Sequence, residues 1–152
     1  MIITDVLQAI SEKRSPVILT ERRQHLAYLA DQLSSKIRNV IVLKGGMGSK
    51  QIRSLKERLA NIPDDEERII LATGRYLGEG FDDARLDTLF LTLPISWRGT
   101  LTQYAGRLHR LHYMKKEVLV YDYVDFEVPV LTRMFEKRCR GYKAIGYEIE
   151  EA

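Results

Sequence analysis

Apolar residues follow two alternating rhythms along this chain. Five short runs are apolar at neighbouring positions: 16–20 (Pro-Val-Ile-Leu-Thr), 40–43 (Val-Ile-Val-Leu), 68–73 (Arg-Ile-Ile-Leu-Ala-Thr), 88–93 (Thr-Leu-Phe-Leu-Thr-Leu) and 118–122 (Val-Leu-Val-Tyr-Asp). Strands read this way when both of their faces are covered. Between the runs, apolar residues recur at helical spacing. Ile3, Val6, Leu7 and Ile10 form one stripe, and Leu26, Leu29, Ala30 and Leu33 a second. Ile52, Leu55 and Leu59 form a third; Leu101, Tyr104, Ala105 and Leu108 a fourth; Leu131, Met134 and Phe135 a last one. Strands alternating with helices need crossover connections, so the pattern predicts a three-layer α/β domain. Its sheet is mainly parallel, with five or more strands and helices on both faces. No repeat, low-complexity tract or linker interrupts it, so residues 1–152 read as a single domain.

Composition agrees with this picture and narrows the class. A chain of 152 residues, 45% hydrophobic and 30% charged, can bury roughly two-thirds of its unfolded surface. That excludes a disordered tail, a collagenous repeat and a disulfide scaffold. No apolar run approaches the roughly 20 residues needed to cross a bilayer. The N-terminal Met-Ile-Ile-Thr-Asp has no basic start followed by an apolar stretch, so neither a signal peptide nor a membrane partner is expected. The single cysteine, Cys139, fits a reducing cytoplasm and reads as an incidental thiol. His25, His109 and His112 lack metal-ligand partners at suitable spacing, so no metal site is expected.

The charge is informative through its distribution. The net charge is only +3, yet residues 32–56 contain no acid and six basic residues: Lys36, Arg38, Lys44, Lys50, Arg53 and Lys56. Residues 88–116 are again acid-free, with Arg98, Arg107, Arg110, Lys115 and Lys116. Such stretches suit either a polyanion partner or solvated faces. In a parallel α/β sheet, ligands gather where loops leave the carboxyl ends of the strands. Here those loops carry Thr20, Glu21, Arg22 and Arg23; then Lys44, Gly45, Gly46 and Lys50; then 74–82 with Gly74, Gly78 and Gly80; then Trp97 and Arg98. Gly, Arg, Lys and hydroxyl groups on four successive loops suit phosphates. Trp97 reads as a buried loop residue.

Two glycine-rich segments do not carry the chemistry that they suggest. Residues 45–50, Gly-Gly-Met-Gly-Ser-Lys, miss the spacing by which a P-loop wraps a triphosphate. Residues 73–80, Thr-Gly-x-x-x-Gly-x-Gly, look like the nucleotide turn of short-chain dehydrogenases, but they follow the third strand instead of the first. No Tyr is followed four residues later by Lys, and too little chain remains for that fold. The four acids at 64–67 precede a strand and read as an exposed loop.

The most specific segment is 103–110, Gln-Tyr-Ala-Gly-Arg-Leu-His-Arg. On a helix, Gln103, Arg107 and Arg110 share an arc of about 60°, roughly opposite the stripe Leu101, Tyr104, Ala105 and Leu108. Gly106 inside a helix points to a close approach. Two adjacent guanidiniums need an anion, or else acids elsewhere in the fold such as Asp82 or Asp83.

This segment resembles motif VI, Gln-x-x-Gly-Arg-x-x-Arg, of superfamily two helicases and translocases. Residues 70–82, Ile-Leu-Ala-Thr-Gly-x-x-x-Gly-x-Gly-Phe-Asp, resemble motif V. Residues 17–20 with Glu21 and Arg22 resemble motif IV, and 43–53 resemble motif IVa. The likeness spans roughly 10–123. The wording of 103–110, with Val120-Tyr-Asp-Tyr-Val124 after it, looks closest to restriction-enzyme translocase subunits and repair helicases. His109 departs from it, because many relatives carry Gly there.

The resemblance implies the C-terminal, second RecA-like domain of a motor, as part of a longer protein. ATP with Mg²⁺ would sit in the cleft against an N-terminal RecA-like partner domain, which would hold most of it. Arg107 and Arg110 match the motif VI arginines, the last of which is usually the finger on the γ-phosphate. Gln103 would contribute to nucleotide sensing, and Gly80 and Asp82 match motif V positions that approach the nucleotide. Thr73 and Gly74 match positions that touch a nucleic-acid phosphate. Thr20, Arg22, Gly45 and Gly46 would lie along the same track, on the backbone of DNA or RNA. The P-loop lysine and the magnesium-holding acids do not occur in these 152 residues, so this chain by itself should not turn over ATP. The alternative is a stand-alone nucleic-acid-binding or regulatory module with the same fold and no ATPase role.

Overall fold

The structure, a computed structural model, describes residues 2–44, 46–73, 83–92, 108 and 117–150. The expected fourth helix, the loop 74–82, Trp97, Arg98, His109 and His112 lie outside the described residues. Among the described residues, nine elements run in the order α1 (Ile2–Ser11), β1 (Pro16–Leu19), α2 (Arg23–Ser34), β2 (Val40–Leu43), α3 (Ser49–Ala60), β3 (Ile69–Ala72), β4 (Thr88–Leu91), β5 (Leu119–Asp122) and α4 (Pro129–Ala144). All five apolar runs are strands. They form one sheet in the order β2-β3-β1-β4-β5, and every pairing is parallel.

Alternation within the strands sorts side chains into two cores. Val17, Leu19, Ile41, Leu43, Ile70, Ala72, Leu89 and Leu91 face one way, where Leu59 of α3, Tyr142 of α4 and Leu108 pack on them. Ile18, Ile69, Leu71 and Phe90 face the other way, against Val6 and Ala9 of α1 and Leu26, Leu29 and Leu33 of α2. The three inner strands β3, β1 and β4 are buried at every position. The flanking strands differ from the expectation of full cover: β2 is buried only at alternate positions and β5 is half-buried throughout. Both lie at the sides of the sheet, where each strand has one neighbour instead of two. Among the described residues, no helix is long and apolar enough to cross a membrane.

A polar lattice closes the amino ends of the strands. Arg14 donates to the Thr88 hydroxyl at 2.6 Å and to the carbonyls of Asp87 and Glu117 at 3.1 and 3.0 Å. Asp87 accepts from the Ser15 amide at 2.8 Å and from the Thr88 hydroxyl at 2.9 Å. Arg68, only 2% exposed, donates to the Ser15 hydroxyl at 2.6 Å and to the carbonyls of Pro63 and Asp64 at 2.8 and 3.0 Å. Its Nε has no hydrogen-bond partner among the described residues. Burial, and then the neighbouring Arg85, lowers the Arg68 pKa.

The acids at 64–67 are less free than an exposed loop implies. Asp64 pairs with Arg85 at 3.3 Å and Glu66 with Arg38 at 2.6 Å, while Glu67 accepts from the Arg38 amide at 2.9 Å.

The other flank is fastened through Asp122 at the end of β5. Arg138 of α4 grips its carboxylate through two nitrogens, at 2.7 and 2.9 Å, and the Tyr142 hydroxyl donates to it at 2.6 Å. At the end of α4, Gly146 takes a φ of +92°. The Tyr147 amide then returns to the Tyr142 carbonyl at 2.9 Å, a helix stop that favours glycine.

Removing the carboxylate while its buried guanidinium partner remains should be costly. Asp122→Ala is expected to destabilise the domain by about 3 kcal/mol or more. Tyr142→Phe, which deletes one hydrogen bond, should cost about 1 kcal/mol. Urea denaturation of both variants checks this, and equal small losses would contradict the anchoring role.

Candidate nucleic-acid interface

The carboxyl edge of the sheet is built by continuing the ladder one residue beyond each strand. The Thr20 amide donates to the Ala72 carbonyl at 3.1 Å, Thr73 to Leu43 at 3.2 Å, Thr92 to Leu19 at 3.1 Å and Tyr123 to Leu91 at 3.3 Å. In sheet order the edge therefore reads Lys44, Thr73, Thr20, Thr92, Tyr123. Neighbouring strands lie about 4.8 Å apart, so this row is about 19 Å long. Three threonines follow the three buried central strands.

Two helices begin at this edge. α2 opens with Arg22 at its N-cap and Arg23 at its first position, with no acid in its first turn. α3 opens with Ser49 and Lys50 and likewise has no acid in its first turn. Basic side chains at the positive end of a helix oppose the dipole, and an anion beside them relieves that conflict. The turn from β2 to α3 passes through Gly46 at φ +87°, where a Cβ would lie 3.3 Å from Nη2 of Arg23. The backbone conformation favours glycine there, and an added Cβ would also press the exposed Arg23 guanidinium slightly aside. Arg22, Arg23, Lys44 and Lys50 are all exposed.

The sequence-predicted residues fare differently. Arg22, Gly46 and Thr73 lie on this edge, and Thr73 is half-buried. Thr20 is at the edge but only 2% exposed. Its hydroxyl lies 3.2 Å from Nδ1 of His25 and accepts from the Arg22 amide at 3.3 Å. The Thr20 side chain thus shapes the turn that carries Arg22. Gly45, Gly74, Gly80, Asp82, Gln103, Arg107 and Arg110 lie outside the described residues. Of the stripe at 101–108, Leu108 is described and is fully buried in the core.

Asp83, which could have satisfied the two arginines, is already engaged. Arg85 takes both of its oxygens, at 3.0 and 3.2 Å, and also reaches the carbonyls of Leu59 and Ile62 at 2.8 and 2.6 Å. The chain leaving the 74–82 segment is thereby tied to the end of α3. Sequence reasoning missed Thr92, whose hydroxyl donates to the Leu19 carbonyl. Its position next to last in the apolar run 88–93 was the available signal.

Electrostatics single out His25. Burial, and then the Arg22 guanidinium, pushes its pKa down from the ordinary value. Cys139 is half-buried, and burial followed by Asp122 pushes its thiol up. Among the described residues, no group of three or more His, Cys, Asp or Glu side chains could hold a metal ion.

No family model matches the chain. It is 34% identical over 88 residues to uncharacterized protein 108L of Invertebrate iridescent virus 3, covering 57% of this chain and 78% of that protein. The chain belongs to the same family as protein 108L. It is also 26% identical over 104 residues to transcript termination protein A18 of Yaba-like disease virus, covering 68% of this chain. It spans 21% of that protein's length.

Solved structures share the fold at low sequence identity. The C-terminal part of the Fun30 ATPase domain superposes with a TM-score of 0.72 at 16% identity, covering 89% of this chain and 43% of that one. UvsW of T4 gives 0.72 at 17%, covering 94% and 31%. Domain 2 of the DEAD-box helicase Mss116p, bound to an RNA duplex, gives 0.62 at 15%, covering 96% and 62%. The fold of this 108L relative is that of a second RecA-like domain of the helicase type.

Because His25 has a lowered pKa in the fold, keeping it neutral stabilises the protein fully above its unfolded value of about 6.5. That contribution is lost as the pH falls below this value, where the unfolded chain takes up the proton first. An NMR titration of the ring, assigned with His25→Gln, should place its midpoint below 6.5; a midpoint at or above that value would contradict the burial argument.

Proposed function

We propose that this chain is the second motor domain of an ATP-dependent nucleic-acid helicase or translocase. The observation that carries the reading is the carboxyl edge itself. Threonines end the three central strands, and two basic helix N-termini open beside them. The helicase-type fold supports it, as does the likeness to a transcript termination protein. In this reading Arg22, Gly45, Gly46, Thr73 and Gly74 track the backbone of DNA or RNA, with Thr20 holding the first turn. Such contacts carry charge and register but little sequence information.

The nucleotide half rests on the resemblance. Arg107 and Arg110 would stabilise charge on the γ-phosphate, Gln103 would sense the nucleotide, and Gly80 and Asp82 would approach it. Two guanidiniums and an amide, with no carboxylate among the three, suit an anion held mainly by another domain. ATP bound there supplies the phosphoryl-transfer energy. In this reading an N-terminal RecA-like domain would hold its Mg²⁺. The restriction-enzyme translocase and repair-helicase branch is the favoured subclass, on the wording of 103–110 and Val120-Tyr-Asp-Tyr-Val124.

The isolated chain should bind unrelated sequences with similar affinity, weakening steeply with salt, and should show no ATP turnover. Robust magnesium-dependent turnover by the isolated chain would overturn this assignment. In the complete motor, Arg110→Ala should lower nucleic-acid-stimulated ATPase by about 10³-fold or more while leaving nucleic-acid binding in place. Unchanged activity would remove Arg110 from the role of finger.

A further inference from the structure

The two helical layers carry opposite electrostatics. α3 and α4, on one face of the sheet, hold nine Lys and Arg residues against two acids. α1 and α2, on the other face, hold one against two. Most of this asymmetry outside the carboxyl edge belongs to α4. Arg133, Lys137 and Arg140 share an arc of about 60° on that helix, and Lys143 lies about 60° further round. All four are exposed, and their side chains form no ion pair or hydrogen bond with any described residue.

This row points away from the sheet. Arg138 and Tyr142, roughly on the opposite side of the helix, turn inward to Asp122. Neighbours three and four apart on a helix repel when alike in charge, so the row weakens α4 unless something anionic meets it. Glu136 is the one acid of the helix, and it makes no ion pair with Arg133 or Arg140. Acids bound the row at both ends: Asp125 and Glu127 before the helix, Glu148 and Glu150 after it.

We infer that the exposed row Arg133, Lys137, Arg140 and Lys143 of α4 is a second nucleic-acid backbone site, separate from the carboxyl edge. Its length from Arg133 to Lys143 is about 15 Å, the rise of roughly four base pairs of duplex. An acidic protein partner is the weaker fit. Protein interfaces centre on buried aromatic or apolar anchors and are depleted in lysine. The exposed large apolar residues near α4, Phe126, Val130 and Ile149, all lie outside the stretch from Arg133 to Lys143. A phosphate backbone needs only the charge.

The site uses none of the residues proposed for the motor, so the two readings can fail separately. The test is fluorescence anisotropy of the full chain with a labelled duplex of mixed sequence, titrated at several salt concentrations. The triple variant R133Q/K137Q/R140Q should bind at least about tenfold more weakly at low salt. Its log–log salt slope should shrink by about 2 to 3, close to one for each phosphate no longer neutralised. The conservative triple R133K/K137R/R140K should bind like the parent and match it in thermal unfolding, and the glutamine triple should unfold no lower than the parent, because it removes only like-charged neighbours on an exposed helix face.

If the glutamine triple keeps the parent's affinity and slope while Arg22→Gln lowers both, the edge reading stands and this inference falls. That outcome would leave the α4 row to an acidic partner. If the glutamine triple loses binding while Arg22→Gln does not, the inference stands and the edge reading falls. A parent chain that binds neither duplex nor single strand overturns both.

Discussion

Parallel pairing through β1 is the constraint on which the rest of the molecule depends. Val17 sits opposite Ile70 on one side and Leu89 on the other, and this register repeats through to Leu19. Burial on both faces of β3, β1 and β4 leaves one polar side chain within these strands, that of Thr88 at the amino end of β4. Polar chemistry is therefore displaced to the two ends of the sheet. A slip by one residue would turn Ile18 and Phe90 into the wrong core and carry Thr20, Thr73 and Thr92 off the edge.

The two ends are treated differently. The amino end is closed by Arg14, Ser15, Arg68, Asp87 and Thr88, which are cross-linked by hydrogen bonds that leave Arg68 Nε as the one buried side-chain nitrogen or oxygen without a partner among the described residues. The carboxyl end keeps exposed cations beside helix N-termini whose dipoles already favour an anion. Arg85 holds the end of α3, the Ile62 carbonyl and Asp83, all in segments that lead into β3 and β4, in one grip. The β5 flank relies on the Asp122 cluster. Tyr121 and Tyr123 beside it are also structural: Tyr121 stacks on Phe90 at 4.7 Å, and Tyr123 donates to Asp5 at 2.6 Å. The wording Val-Tyr-Asp-Tyr-Val thus records packing as much as chemistry.

Strand positions and helix faces were legible in the sequence because burial on both sides leaves continuous apolar runs, and burial on one side leaves stripes. Strand order was not, since β1 pairs with β3 and β4 and never with β2, its neighbour in sequence. The polar partners were hidden for a related reason: Arg14 and Thr88 stand 74 positions apart. On the candidate edge, Arg22, Gly46 and Thr73 were legible from the loops. Burial of Thr20, whose hydroxyl meets His25 across the turn into α2, was not. Thr92 was masked by the apolar run around it. The α4 row does not read as an acid-free stretch because Glu136 sits inside it.

If the carboxyl edge is the surface that meets a nucleic-acid backbone, its residues should be the ones that touch a bound strand. Photo-crosslinking the chain to a nucleic acid of arbitrary sequence, with the attached residues mapped by mass spectrometry, tests that most directly. Crosslinks at residues 20–23, 44–46 and 73–74 are the predicted result. Crosslinks confined to α1 and the outer face of α2, with none at the edge, would contradict it.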